Sequence, residues 1–261
     1  MRANFFPLPV LSLRFIPVWR RHFLVWRKLA IPSILGNLAD PMLYMLGLGY
    51  GLGSLMPQVS GVPYIAFLAA GTVCYSTMNS ATFEVLYSGF SRMHVQKTWE
   101  AILNAPMALD DVLMGEWVWA ASKSLLSGIA VLVVATALGL AQSWLALWAL
   151  PVVFLTGLAF GSLGLIVTAL SPSYDFFMYY FTLFITPMML LCGVFFPADQ
   201  LPQALQHAAA LLPLTHAVAL VRPLMNDTVP PGLATHLSVL LLYAMAAFHV
   251  ALALTRRRLL V

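Results

Sequence analysis

The chain has 261 residues, of which 61% are apolar and only 8% charged, with a net charge of +4. Soluble proteins carry roughly 25% charge, and a soluble interior cannot absorb so large an apolar share at this size, so a soluble globular enzyme is excluded. Residues 41–83, 124–174, 176–198 and 228–255 contain no Lys, Arg, Asp or Glu, and each can hold a membrane-crossing helix of about 20 residues.

In chain order, Arg14, Arg20, Arg21, Arg27 and Lys28 interrupt every apolar stretch before residue 29, so no cleavable signal is expected and the first span is retained. Residues 18–31 place Trp19, Phe23, Trp26 and Ala30 on one helical side and Arg20, Arg21, Arg27 and Lys28 on the other. That pattern fits an interfacial helix on anionic lipid, or a plain topology anchor. Span one is expected over 33–55 and ends in Gly47, Gly49, Gly51 and Gly53, small residues that let helices approach closely in lipid. Pro57 and Pro63 bracket a turn, and span two covers 63–83.

A polar segment follows, with Glu84, Arg92, His94, Lys97, Glu100, Asp110, Asp111 and Glu116. Within it Val95, Trp99 and Ile102 recur at helical spacing, with Lys97, Glu100 and Asn104 turned away. This short helix either offers an apolar knob to a soluble partner or packs under the bundle. Span three is expected over 119–140, span four over 145–170, and only Gln142 and Ser143 separate them, so a re-entrant hairpin is the alternative there. Span five covers 174–196 between Pro172 and Pro197, and span six 236–255. In the 197–235 loop, Leu201, Leu205, Ala208 and Leu212 form a stripe expected to rest on the outer leaflet, opposite Gln203, Gln206 and His207. A second short helix is expected from Thr215 toward Arg222, whose cation would meet an anionic lipid or substrate group.

Backbone groups in hydrocarbon must be bonded within a helix or a closed barrel, and continuous apolar runs lack a barrel's alternation. The fold expected is therefore an all-α polytopic membrane protein with six spans. It forms a single membrane domain over 1–261: an interfacial segment 1–32, a six-helix region 33–255 and a basic tail 256–261. Twelve of the thirteen Lys and Arg residues, Arg2 among them, fall before span one, near the polar segment and Lys123, or at Arg256, Arg257 and Arg258; Arg222 is the exception. The positive-inside rule then puts both termini in the cytoplasm. Trp19, Trp26, Trp99, Trp117 and Trp119 mark the inner boundary, and Trp144 and Trp148 the outer one.

Chemistry-bearing motifs are sparse. No G-x-x-x-x-G-K-[ST] loop occurs, and the glycine run fails G-x-G-x-x-G, so the chain has no nucleotide site of its own. The six histidines form no H-E-x-x-H pair, so no metal is expected. Cys74 and Cys192 fall in apolar runs as inert thiols, and no catalytic residue is assigned. Carboxylates at span edges are costly unless paired, which singles out Asp40, Glu84 and Glu116. Asp40 lies inside span one, with Lys123 as its candidate partner. Tyr174, Phe177, Tyr180 and Phe181 of span five either line a path for an amphipathic substrate or pack against lipid.

The stretches ATFEVLYSGFSRMHVQKTWEAILNAP (81–106), DDVLMGEWVWAASKS (110–124) and LLPLTHAVALVRPLM (211–225) resemble ABC-2 type transport permeases, and the resemblance covers all six expected spans. It implies a coupling helix over Arg92–Pro106 that sits in a groove of a separate ATPase. Arg92, Val95, Lys97, Trp99, Glu100 and Ile102 would carry that contact. It also implies a permease dimer with two ATPase copies, ATP and Mg being used on the ATPase, and a lipochitooligosaccharide or related glycolipid or polysaccharide as cargo. Exporters of drugs or other lipids are similar in sequence. Two rival readings remain: a membrane enzyme acting on lipid-linked sugar through Asp110, Asp111 and Glu116, and an ion-coupled transporter loading an ion on Asp40.

Overall fold

The computed structural model describes residue 9, residues 12–141 and residues 143–259. Arg2, Gln142 and the last two residues of the basic tail lie outside the described residues. The chain is almost entirely helical. Helix α1 (Phe15–Arg27) is followed by a break at Lys28 and Leu29, and α2 (Ala30–Gly51) leaves at 83° to it. The bend keeps Arg20, Arg21 and Arg27 exposed while Val18 and His22 are buried. The aromatic side expected to lie in lipid turns partly inward instead. Trp19 Nε1 donates to Ser122 Oγ at 3.0 Å, and Trp26 packs edge-on to Trp119 at 6.0 Å.

The turn bracketed by Pro57 and Pro63 is a two-residue hairpin joining β1 (Gln58–Val59) to β2 (Val62–Pro63). Ser60 and Gly61 at its tip both have positive φ, as a tight hairpin requires. Helix α3 (Tyr64–Phe83) runs on through wide, π-type turns at Glu84–Gly89 and Ser91–Val95. Lys97, at φ 51°, reverses the chain into α4 (Thr98–Leu103).

Helix α5 (Leu109–Ala137) begins ten residues before the expected Trp119. Asp110 and Asp111 in its first turn favour that start by facing the positive end of the helix dipole, and the Ala108 N–H donates to Asp111 Oδ2 at 3.2 Å. Ser143 caps a short lead-in to α6 (Ala149–Leu170), accepting from the Leu145 N–H at 3.0 Å. Helix α6 lies at the centre and packs against α3 and α5. The expected span five is broken into α7 (Phe176–Tyr180), a wide turn at 181–185 and α8 (Thr186–Leu191), and the chain turns back at Gly193, φ 75°. Helices α9 (Gln203–Leu211) and α10 (Pro213–Met225) meet at 87°, and α11 (Leu233–Leu259) closes the bundle against α6 and α10.

Among the described residues three helices, Leu109–Ala137, Trp144–Leu170 and Leu233–Leu259, are long and apolar enough to cross a membrane, and up to five spans result if each bent pair counts as one. The sequence expected six. Helix α3 is diluted by Thr72, Ser76, Thr77, Asn79, Ser80 and Thr82, and Phe176–Leu191 is short. Helix α10, the second short helix expected in this loop, packs into the bundle, with Leu214, Ala217, Leu220 and Val221 fully buried. Arg222 is carried inward with it. Its guanidinium sits 3.6 Å over the Phe67 ring and donates to the Gly193 carbonyl at 2.5 Å. Replacing Arg222 by Leu leaves the carbonyls of the returning chain without that donor, so a loss of about 1–3 kcal/mol is expected in reversible detergent unfolding. Unchanged stability would contradict this role.

Candidate functional site

At one end of the bundle α1, the end of α3, α4 and the start of α5 converge on a buried ionic joint. Glu116, on α5, is fully buried and accepts from Arg92 Nε at 2.8 Å, Arg92 Nη2 at 2.5 Å and Trp99 Nε1 at 2.8 Å. His22 Nε2 of α1 stands 3.2 Å from the same carboxylate. Glu84 accepts from Arg92 Nη2 at 2.9 Å, Trp119 Nε1 at 2.9 Å and Lys123 Nζ at 2.7 Å. Two carboxylates thus face one guanidinium and one ammonium, with the His22 ring beside Glu116. Such pairing is what allows ionised groups to stay buried. Burial pushes the Glu84 carboxyl up, but Arg92 and Lys123 outweigh it and hold it below the ordinary carboxylate range. Glu84 is therefore ionised at neutral pH.

Beside the joint, Arg256 of α11 donates to Asp110 at 2.6 Å, Ser12 Oγ donates to Asp111 Oδ1 at 2.5 Å, and Arg14 donates to the Pro106 carbonyl at 3.2 Å. The three acids available to an enzyme reading are thereby engaged, Asp110 with Arg256, Asp111 with Ser12 and the helix cap, and Glu116 with Arg92.

Helix α4 sits on this joint packed under the bundle, the second of the two expected arrangements, and not as an apolar knob. Trp99 points inward at 1% exposed, and Ile102 packs against the core. Lys97 and Glu100, 3.8 Å apart, face out with Glu100 beside exposed Ala101 and Asn104, while Val95 is 64% exposed. The reason is the carboxylate behind the helix, since an indole N–H in an apolar site needs an acceptor and Glu116 supplies it. Arg92, likewise, is held inside rather than offered outward.

Asp40 does not meet Lys123, which is taken by Glu84; Tyr75 Oη donates to Asp40 Oδ2 at 3.0 Å instead. Of the span-five aromatics, Phe177 is fully buried and Tyr180 nearly so, whereas Tyr174 and Phe181 are partly open. They build one cluster with the end of α3. Tyr87 stacks on Tyr174 at 6.1 Å, Phe90 meets Phe177 edge-on at 5.2 Å, and Phe83 meets Phe181 at 4.7 Å. Cys74 and Cys192 are buried and unpaired. Among the described residues no group of three or more His, Cys, Asp or Glu is placed to hold a metal ion.

Two cavities adjoin these elements. One of about 560 Å³ opens beside the joint, lined among others by Arg21, Trp26, Ser88, Gln96, Lys123 and Tyr174. The other, about 330 Å³, lies between α2 and α3. The ion pairs were signalled in the sequence only as charges flanking uncharged runs; the second cavity had no signal beyond Asp40.

One end of this bundle of apolar helices gathers α1, the short helix α4 and a paired ionic joint. Residues 14–226 match the ABC-2 type transporter family, and the chain belongs to that family as a multi-pass transport permease of the inner membrane. It is 50% identical over 253 residues to Nodulation protein J of Bradyrhizobium diazoefficiens, covering 97% of each chain. It is 51% identical over 253 residues to Nodulation protein J of Rhizobium leguminosarum bv. viciae, again 97% of each. The Inner membrane transport permease YadH of Escherichia coli is 25% identical over 92% of this chain and 93% of its own.

Proposed function

We propose that the chain is the membrane half of an ATP-driven exporter that moves a lipochitooligosaccharide nodulation factor, or a related glycolipid or polysaccharide, out across the inner membrane. It works as a homodimer bound to two copies of an ATPase similar to NodI, which alone uses ATP and Mg. The chain forms one membrane domain with six spans and both termini in the cytoplasm. The observation that carries the reading is full-length identity of about half to proteins named Nodulation protein J.

In this reading α4 is the coupling helix. Its outward Glu100 and Ala101, with Val95, Lys97 and Asn104 flanking the helix, rest in the ATPase groove, and Trp99 and Ile102 hold its inner side on the bundle. Nucleotide-driven closure of the ATPase pair pushes α4. Trp99, Arg92 and Glu116 then carry the displacement into α1, α3 and α5, since packed ionic contacts repack between discrete states rather than deform. The cycle needs the ATPase to bind the two states with different affinity.

The paired substitution Lys97→Glu with Glu100→Lys keeps the local net charge and removes nothing buried. It is expected to cut recovery of the ATPase in detergent co-purification about tenfold or more, as mispaired interface charges do, while the permease elutes unchanged. Full recovery would remove α4 from the ATPase contact. Topology is tested separately with an impermeant thiol reagent on whole cells, in a Cys74→Ser, Cys192→Ser background. Cysteines at 97 or 257 should stay unlabelled and one at 228 should react; reaction at 97 would reverse the orientation.

A further inference from the structure

The cavity of about 330 Å³ between α2 and α3 is lined by Gly36, Asn37, Asp40, Ser76, Asn79 and Ser80, with Pro41 and Phe83. These polar residues face one another across two helices that are largely apolar. Among the described residues the Asn37 and Asn79 carboxamides form no hydrogen bond, and the Ser80 hydroxyl is buried without a partner. Ser76 is bonded to Ser127 at 2.7 Å, and Asp40 accepts from Tyr75 at 3.0 Å. A carboxamide carries two donors and two acceptor lone pairs. Asn37 and Asn79 are half-buried with their amide donors and acceptors open to the cavity, and the buried Ser80 hydroxyl without a partner costs free energy, so their concentration at one cavity points to a ligand that supplies partners.

From the seam between α2 and α3 we infer that this cavity is a saccharide station: it hydrogen-bonds hydroxyl and acetamido groups of a glycolipid's sugar chain as that chain crosses the membrane. The inference rests on the exporter reading above. Amide and hydroxyl groups dominate the lining, and its one carboxylate has no cation beside it among the lining residues. That arrangement disfavours an anionic ligand and suits a neutral polyhydroxylated one. The volume lies at the small end of ligand sites, about 300–1,000 Å³, so the station holds a portion of an oligosaccharide at a time.

A second observation gives the station an approach. The cavity of about 560 Å³ beside the ionic joint is lined by Ser33 of α2 and by Tyr87, Ser88 and Ser91 just after α3. Ser33 lies one helical turn before Asn37, and Tyr87 one turn after Phe83, so the two cavities follow one another along the same seam. Between them Phe83 and Tyr87 stack at 5.1 Å with an interplanar angle of 17°. Flat aromatic faces beside hydroxyl and amide donors match the two surfaces of a sugar ring, its apolar C–H face and its polar rim. Exposed Val25 and Leu29 at the mouth leave an acyl tail on the lipid side.

The test uses the permease–ATPase complex in lipid nanodiscs, with binding read by displacement of a radiolabelled acylated N-acetylglucosamine tetramer. The same acyl chain without sugar is the comparison. Wild type should bind the sugar amphiphile and not the bare chain. Asn79→Leu should weaken binding about tenfold, and Ser80→Ala about threefold or more. Asp40→Asn, which keeps hydrogen bonding without charge, should stay within about threefold. Co-elution with the ATPase reports folding, and should Asn79→Leu fail it, Ser80→Ala decides. Wild-type affinity in both Asn79→Leu and Ser80→Ala would overturn the station while leaving the exporter reading intact. Loss in Asp40→Asn together with sodium-dependent binding would make the cavity a cation site instead. No wild-type binding of the tetramer would overturn the cargo reading, and the station with it.

Discussion

A Glu116→Gln permease is expected to lose about 3–5 kcal/mol of stability, the usual cost of breaking a buried ion pair from one side, and to export poorly even where it inserts. Glu116 is fully buried and takes two donors from Arg92 and one from Trp99. Glutamine is isosteric, but its NH2 group must face a guanidinium or an indole N–H, so a donor meets a donor. Arg92 is then left buried with Glu84 alone, and α4 loses the acceptor that holds Trp99. Arg92→Met should cost a comparable amount by stranding Glu116. The double variant Arg92→Met, Glu116→Gln should be clearly less unstable than the sum of the singles, because neither charge remains to be stranded. Reversible SDS unfolding of the purified permease measures all three. Strict additivity would mean that the two side chains do not share one joint.

Export separates the joint's mechanical role from its stabilising one. If the ionic contacts transmit the movement of α4, the double variant recovers stability without recovering ATPase-coupled export, since a methionine holds no fixed geometry against a glutamine. Recovery of both would reduce the joint to a support.

How far the sequence went can be traced to particular residues. The uncharged run 124–174 announces the body of α5 and all of α6, and 228–255 most of α11, because in hydrocarbon an uncharged apolar run has few alternatives to helix. The start of α5 was misplaced for the converse reason. Ending a span at its first carboxylate assumes that the charge is unpaired, yet Glu116 is matched by Arg92 from 24 positions away, and Asp110 by Arg256 from 146. No local pattern encodes those pairings.

The 3.6-residue period grouped Trp99 with Ile102 and Lys97 with Glu100, but it placed Val95, which is exposed, on the wrong side and could not say which face looks inward. Both the bundle and an external groove accept an apolar stripe, and the hidden acceptor on Glu116 decides between them. Span five differs in another way: its helical part, Phe176–Leu191, is shorter than the expected 174–196. Its run from Tyr174 to Phe196 reads as continuous by hydropathy, and nothing in the composition foretells the wide turn at 181–185 or the reversal at Gly193. Aromatics at 174–181 were legible as a group, but their partners Phe83 on α3 and Tyr87 and Phe90 just after it were not.

That reversal underlies the second large effect, expected at Gly71. A Cβ at residue 71 of α3 would overlap the Val194 carbonyl oxygen and lie 2.9 Å from the Val194 Cα. Both are backbone atoms, so no side-chain rotation relieves the contact. The returning segment cannot easily retreat either, since Arg222 grips the Gly193 carbonyl next to it and Tyr64 Oη donates to the Phe195 carbonyl at 3.1 Å. Gly71→Ala is therefore expected to cost about 1–3 kcal/mol or more, as overpacking does, even though alanine is the better helix former by about 1 kcal/mol. Gly161→Ala on α6 is the matched contrast. Its added carbon would meet Trp117 Cδ1 at 3.4 Å and Ala120 Cβ at 3.5 Å, ordinary contact distances, so that change should be neutral or slightly stabilising. Equal stability of the two variants in SDS unfolding would show that the chain does not turn back against α3. Loss confined to Gly71→Ala would tie the broken fifth segment to the helix that carries Ser76, Asn79 and Ser80, so that any movement of one must be followed by the other.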